Sequence, residues 1–436
     1  MVKPPRTFSF VHAADLHLDT PFSGVQAGAP FVATALRDAS LHAYEAIIRI
    51  ALEREVEFVL FAGDIYDGSE RGVRAQIEFL DGLRRLNDAG IQSFIVHGNH
   101  DPLDTGWSAI ASSWPELVTI FPALGSDQQA PEVISVVRDG VQIATVQGVS
   151  FKERATTANL AKNYHRPEGS GIHIGLLHCN VEGSPSVHSN YSPCSVKDLI
   201  DTGLDYLALG HVHDRRILSG AIAPGDPWIV YPGNTQARSV NETGAKGIYI
   251  VNVTDNIIND PEFVACDEIR FFQREVVIDE CETIIDLVDH LHVLEQETLG
   301  FAEGRSIIMR VILVGRGDLH ADLVHRDALE EILASLHSRS ARSVPFCWWE
   351  QLIDRTQPAV DFNEIRTRGD FAADVLRLAD EYLHDNVARK AILEQMAAII
   401  PKNLKREFSA RMAEPGFAKD LVAKARLRAL DEILGD

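Results

Sequence analysis

Phe58-Val59-Leu60-Phe61-Ala62-Gly63-Asp64-Ile65-Tyr66-Asp67 is an apolar run of five residues that ends abruptly in a glycine and two carboxylates. A run this short and this apolar predicts a strand buried on both faces, as in a parallel sheet, with the polar groups just past its carboxyl end. The same grammar recurs on either side. Phe8–Ala14 runs into Asp15-Leu16-His17, and Phe94–His97 into Gly98-Asn99-His100-Asp101. Ile172–Leu177 ends in His178, and Tyr206–Leu209 ends in Gly210-His211-Val212-His213. Further β-rich runs lie at Gln92–Val96, Ile143–Gln147, Trp228–Tyr231 and Gly247–Val253. Between the early runs, Ala39–Glu53 and Arg74–Asn87 carry apolar residues at helical spacing. From Phe8 to about Ile250 the chain therefore reads as layered α/β architecture.

In open α/β sheets, ligands bind beyond the carboxyl ends of the strands, so the five polar clusters are expected to share one crevice. Gathering that many carboxylates and imidazoles in one place is costly unless cations offset the charge. Two metal ions roughly 3.5–4 Å apart need a shared carboxylate, hard oxygen donors and imidazoles. That set suits Mn²⁺, Fe or Zn²⁺ better than Mg²⁺ alone. Asp15 and His17, one residue apart on an extended strand end, are expected to turn toward one ion, and Asp64 is the natural bridge. Asp67 reads as readily as a helix N-cap or a residue supporting the site as it does as a metal ligand. His12 and His97 fall inside strand patterns and are expected in the core, whereas His42, His165 and His188 have no partner motif and are read as surface.

The ordered series D-x-H, G-D-x-x-D, G-N-H-D, a lone histidine and G-H-x-H resembles the calcineurin-like metallophosphoesterase superfamily over about residues 8–250. The resemblance implies a four-layer fold, two central β-sheets flanked by helices. It further implies one metal on Asp15, His17, Asp64 and His213, and the other on Asp64, Asn99, His178 and His211. His100 then corresponds to an acid or transition-state-stabilising histidine, with Asp101 expected to orient it. The expected chemistry is attack on phosphorus by a hydroxide that the two cations activate.

Protein phosphatases of this superfamily read G-D-x-x-D-R-G and G-N-H-E, whereas here Gly68-Ser69 follows Asp67 and Asp101 follows His100. The segment Tyr231-Pro232-Gly233-Asn234-Thr235-Gln236-Ala237-Arg238 and the later Lys246-Gly247 instead resemble SbcD-type DNA repair exonucleases, in particular their YhaO-like branch. Asp19-Thr20-Pro21-Phe22 also fits that branch. The resemblance makes Asn234 and Arg238 candidate substrate-binding residues. It implies a Mn²⁺-dependent nuclease working on DNA with an SbcC-like coiled-coil ATPase, commonly as a homodimer. The competing expectations are a phosphodiesterase for small or cyclic nucleotides, and a regulatory subunit with structural metals.

Near residue 270 the texture changes. Phe271–Ile278, Glu282–Glu295, Ser306–Val314, Asp322–Leu336 and Val344–Ile353 read as a β-α-β-α-β unit, which is similar in layout to a small α/β capping domain. Gly369–His384, Val387–Ile400 and Phe417–Leu434 read as C-terminal helices. The expected domains are therefore residues 1–268, 269–358 and 359–436.

The chain of 436 residues carries a formal charge of −22. Such a charge opposes nucleic-acid binding unless positive charge is concentrated locally. Between Arg389 and Arg428 ten Lys/Arg stand against four acids, a local excess of six. These residues are read either as the solvated face of amphipathic helices or as a surface for DNA or a partner. Five cysteines without C-x-x-C spacing argue against a disulfide framework or a zinc finger and predict reduced core thiols. No apolar run approaches membrane-span length and no leader pattern follows Met1, so a cytoplasmic protein with no membrane association is expected.

Overall fold

A computed structural model describes residues 7–20, 30–68, 72–105, 114–125, 130–182, 191–220, 225–325, 327–340, 344–401 and 416–434, with isolated positions between 405 and 414. Pro21, Phe22, Ser69, His188, Lys402 and Arg406, which the sequence reading invoked, lie outside the described residues. The chain divides into two compact units, Met1–Val314 with Leu323–Arg355, and Gly315–Asp322 with Thr356–Asp436. The expected first and second domains thus share one unit. The helical unit begins at Thr356 and also takes in residues 315–322.

Within the first unit, strands β1 (Thr7–Ala13), β2 (Phe58–Ala62), β3 (Gln92–Val96) and β4 (Val118–Ile120) run parallel and adjacent in that order, joined through helices α1 (Pro30–Glu53) and α2 (Val73–Asp88). A second sheet contains β5 (Glu132–Arg138), β6 (Val141–Val149), β7 (Ile172–His178), β10 (Tyr206–Gly210), β11 (Arg216–Ser219) and β12 (Trp228–Tyr231). The short pair β8 (Asn180–Val181) and β9 (Pro193–Cys194) precedes helix α3 (Val196–Ile200). Strands β13 (Gly247–Thr254), β14 (Ile257–Ile258) and β15 (Glu262–Ala265) return to complete the first sheet, with β13 antiparallel to β1.

Alternation along each strand builds the layers, because successive side chains point to opposite faces. Phe10, Phe58, Leu60 and Phe94 point between the sheets, where they meet Ile174, Leu176, Tyr206, Ala208 and Val230. Val11, Val59, Phe61 and Ile95 point the other way, onto Tyr44, Ile47 and Ile48 of α1 and Phe79 and Leu83 of α2. The outer face of the second sheet, with Leu177, Leu207, Leu209 and Ile229, is covered by Leu199 of α3 and by Ala161 and Tyr164. The expected four layers are present. Among the described residues, however, the fourth is thin, made of the five-residue α3 and a single 3₁₀ turn at Leu160–Asn163.

The capping region is a parallel three-stranded sheet of β16 (Ile269–Val277), β17 (Ser306–Val314) and β18 (Cys347–Asp354), with helices α4 (Ile284–Phe301) and α6 (Ala328–Ser340), while the short α5 (Leu319–Leu323) falls almost wholly in the second unit. Thr283 caps α4 through a reciprocal capping box with Asp286. The single helix expected over Asp322–Leu336 is two, α5 and α6. Ile269, Phe271, Ile308, Phe346 and Trp348 pack on Val32 and Leu36 of α1 and on Ala237 and Val240. The second unit holds α7 (Phe362–Arg368), α8 (Phe371–His384), α9 (Asn386–Ile399) and α10 (Phe417–Leu434). The side chains of Asp361, Asp370 and Asp385 cap α7, α8 and α9. Ile365, Ala372, Leu376 and Leu430 form this unit's small core. No described helix is long and apolar enough to cross a membrane. All five cysteines are buried free thiols, as expected.

Candidate metal centre

Because β1, β2 and β3 are parallel neighbours in one sheet and β7 and β10 are parallel neighbours in the other, their carboxyl ends deliver five polar loops to one edge of the sandwich. The loop after β1 is zipped to the loop after β2: Asp15 N–H donates to Gly63 O (3.1 Å), His17 N–H to Asp64 O (3.0 Å) and Leu18 N–H to Ile65 O (2.9 Å). Asp15, His17 and Asp64 all take left-handed backbone angles, with φ of 51°, 45° and 52°. This corrects the expected extended strand end at Asp15 and His17. The strand stops at Ala13, and the two side chains are turned inward by strained backbone that the zipped loops hold in place.

The groups converge as two neighbouring sets, Asp15, His17 and His213 on one side and Asp64, His178 and His211 on the other, with a third, His17, Asp67 and His100, sharing His17 with the first. His17 Nε2 and His213 Nε2 face each other at 3.2 Å, and Asp64 Oδ2 lies 3.9 Å from His17 Nε2 and 3.3 Å from His178 Nε2. Asn99 Oδ1 sits between His178 Nε2 (3.0 Å) and His211 Nδ1 (3.1 Å). Asp64 is thus within reach of both sets, the position a shared carboxylate needs. The structure brings together all seven residues expected to hold metal.

The electrostatics of this pocket favour cations. Burial pushes the Asp15 carboxyl up to about 6, against the pull of His178 and His213. Burial works to lower the His178 pKa, but Asp64 and Asp15 overcome it and push the ring up to about 9. Burial, with Arg238 adding to it, holds His17 well below its ordinary value, leaving a neutral imidazole. The buried carboxylates thus hold a proton on His178, and imidazoles and carboxylates all directed inward form a donor set that fits two divalent cations, which would take that proton's place. His178 Nδ1 donates to Ala62 O (2.9 Å), which presents Nε2 to the centre. Glycines make the approach possible. A Cβ on Gly98 would lie 2.2 Å from Asp64 Oδ1, and one on Gly210 would lie 1.9 Å from Ala62 O.

His100 stands beside this centre, its ring edge-on to His17 with centroids 5.0 Å apart, and its backbone N–H donates to Asp64 Oδ1 (2.9 Å). Its Nδ1 meets the carboxylate of Asp67. Burial opposes the charged ring, but this partner and Asp64 prevail and raise its pKa. Asp101 is therefore corrected as the orienting residue. Its carboxylate accepts from the backbone N–H of Ile65 and Gly98, both at 2.9 Å, and lies 3.2 Å from His97 Nδ1, so it ties the β2 and β3 loops together. Asp67 orients His100 instead, and it is not a helix N-cap, a position that Gly72 holds. His12 and His97 are buried as expected, and His42 and His165 are exposed.

Asn234 is fully buried, and its amide nitrogen donates to Glu242 Oε2 (2.8 Å) and Gln236 O (2.9 Å). Those contacts reveal a residue the sequence reading missed. Glu242 Oε1 lies 2.7 Å from His213 Nδ1, and Oε2 also accepts the Arg238 backbone N–H at 2.6 Å. Burial alone raises the Glu242 pKa, but the bond to His213 outweighs it and sets the value at about 2. The nearest signal in sequence was a glutamate eight residues after Asn234, too weak to single out.

Residues 8–215 match the calcineurin-like phosphoesterase family, and residues 271–357 match the middle domain of the metallophosphoesterase YhaO. Over 419 residues the chain is 32% identical to the uncharacterized metallophosphoesterase YhaO of Bacillus subtilis, covering 91% of this chain and 98% of that protein. The chain belongs to the calcineurin-like metallophosphoesterases, in their YhaO-like branch. It is also 29% identical over 232 residues to the DNA double-strand break repair protein Mre11 of Thermoplasma acidophilum, covering 50% of this chain and 57% of that one. The Mre11 of Aeropyrum pernix is 26% identical over 243 residues, covering 54% of this chain and 56% of that protein. The chain therefore spans little more than half the length of these Mre11 relatives.

Proposed function

We propose that this metallophosphoesterase is a Mn²⁺-dependent nuclease that cleaves phosphodiester bonds of DNA and works with a coiled-coil ATPase of the SbcC type. The observation that carries the hydrolytic part is Asp64 placed between two inward-facing donor sets with His100 beside it. Asp15, His17, Asp64 and His213 would hold one cation, and Asp64, Asn99, His178 and His211 the other. When bound, two such cations supply Lewis acidity and neutralise charge as the phosphate is attacked. The protein's own part is proton handling and order. Asp67 favours the protonated form of His100, whose ring can then give a proton to the departing oxygen. Ala62 O fixes the tautomer of His178, and Glu242 aligns His213. Similarity to proteins described as DNA double-strand break repair proteins supports DNA as substrate.

The test compares purified full-length protein on four substrates under Mn²⁺, with Asp64→Ala as blank. The substrates are end-labelled duplex DNA, single-stranded DNA, a cyclic dinucleotide and a phosphomonoester. The proposal expects DNA shortening that Asp64→Ala abolishes. DNA left intact while the cyclic dinucleotide turns over would overturn the nuclease reading in favour of a small-substrate phosphodiesterase. Co-purification with a coiled-coil ATPase tests the partner, and its failure at stoichiometric concentrations removes that element.

A further inference from the structure

Arg238 lies on the segment after β12, with its side chain 25% exposed at the edge of the metal centre. Its Nη1 is 3.6 Å from Asp67 Oδ2, an ion pair too long to be a hydrogen bond. Among the described residues no acceptor bonds its Nε or Nη1, although both atoms are buried. A guanidinium cannot shed its charge and carries five N–H donors in a rigid fork, so buried donors left unmet are costly. Its backbone, by contrast, is firmly held. Arg238 N–H donates to the same Glu242 carboxylate that orients His213, and the flanking Ala237 and Val240 are packed under the capping sheet. The arginine is thus fixed at its root and under-satisfied at its head, beside the His100 and Asp67 pair.

We infer that Arg238 contacts the substrate directly, donating its Nε–H and Nη–H fork to non-bridging oxygens of the substrate phosphate on the His100 side of the centre. The fork matches phosphate geometry, and its fixed charge faces a ligand that is anionic. Simple neutralisation of Asp67 does not account for the arrangement, because Asp67 already pairs with His100 and its ion pair with Arg238 is long, at 3.6 Å. The inference rests on the reading that this site hydrolyses phosphate esters.

The experiment uses the full-length Mn²⁺-loaded protein as wild type, Arg238→Met and Arg238→Lys. It measures inorganic phosphate affinity by calorimetry, bound metal by elemental analysis, and kcat and KM on bis(p-nitrophenyl) phosphate. Arg238→Met is expected to bind phosphate about 10–100-fold more weakly and to raise KM, with metal stoichiometry unchanged. Arg238→Lys, which keeps the charge but not the fork, recovers only part of the affinity. Phosphate affinity within twofold of wild type overturns the inference, as does metal loss that parallels the affinity loss. If Arg238→Met does not fold, Arg238→Lys decides: a several-fold loss supports the contact and parity overturns it. A wild type that binds phosphate through Arg238 but cleaves no ester sinks the hydrolase reading alone. A wild type that cleaves esters no better than Arg238→Met sinks this inference alone.

Discussion

Glu242 commits both carboxylate oxygens inside the protein, Oε1 to His213 and Oε2 to Asn234 and the Arg238 backbone. A carboxylate behind an imidazole fixes the ring and raises its donor strength, and losing such support typically costs about 10–100-fold in metal affinity. Glu242→Gln keeps the shape and removes the charge. It is expected to weaken Mn²⁺ binding by about that factor at one of two sites, read by calorimetric titration, while the melting temperature stays near wild type. His12 makes the second prediction at this scale. Burial lowers its pKa to about 3, although its Nδ1 sits 3.1 Å from the Tyr206 hydroxyl. The unfolded chain binds this proton below about pH 6.5 and the native state refuses it, so stability falls as pH drops from 6.5 toward 3. At about 1.4 kcal/mol per pH unit, urea denaturation at pH 5 should show a loss of about 2 kcal/mol relative to pH 7.5 that His12→Gln largely escapes. An equal loss in both proteins would place the acid sensitivity elsewhere.

At the scale of elements, the centre depends on how closely the β2 and β10 ends approach. Gly210 on β10 faces Ala62 O, the same carbonyl that fixes His178. Gly210→Ala would place a methyl group 1.9 Å from that oxygen, so the strand ends must separate. The expected result is a destabilisation of about 1–3 kcal/mol in urea together with loss of bound metal, since His178 moves with the carbonyl. Unchanged metal content would show that the loops can absorb the methyl group. Strand ends were also what the sequence revealed best, because Asp15, Asp64, Asn99, His178 and His211 each follow an apolar run directly. Contacts between loops were not legible. The family resemblance pointed to Asp101 as the partner of His100. The true partner, Asp67, arrives because β2 and β3 are parallel neighbours and Gly68 N–H donates to His100 O at 3.0 Å. Glu242 reaches His213 across 29 positions, and no local pattern announces a pairing made by tertiary folding.

For the whole molecule, a charge of −22 must be reconciled with the polyanionic substrate proposed, and the basic C-terminal segment is where that proposal is exposed to test. The structure sorts its residues. Arg389 donates to the Tyr382 and Leu383 carbonyls at the end of α8, and Arg426 is held between Asp380 (2.9 Å) and the ring of Phe362 (4.2 Å). Both stabilise the helical unit, and Asp380 offsets the charge of Arg426. On α10, Lys419, Lys424 and Arg428 are exposed. If DNA binds along this helix, each phosphate they neutralise releases condensed counterions and contributes about 0.9 to the slope of log K against log salt. Replacing all three with glutamine should therefore lower that slope by up to about 2.7 and weaken DNA binding uniformly across sequences. Turnover of bis(p-nitrophenyl) phosphate, which is too small to reach a second basic surface, should not change. Fluorescence anisotropy on a labelled duplex from 50 to 200 mM salt reads the slope, about as wide a range as such an interaction tolerates. An unaltered slope would make α10 a solvated helix face and leave DNA capture to the arginines and cations of the centre itself.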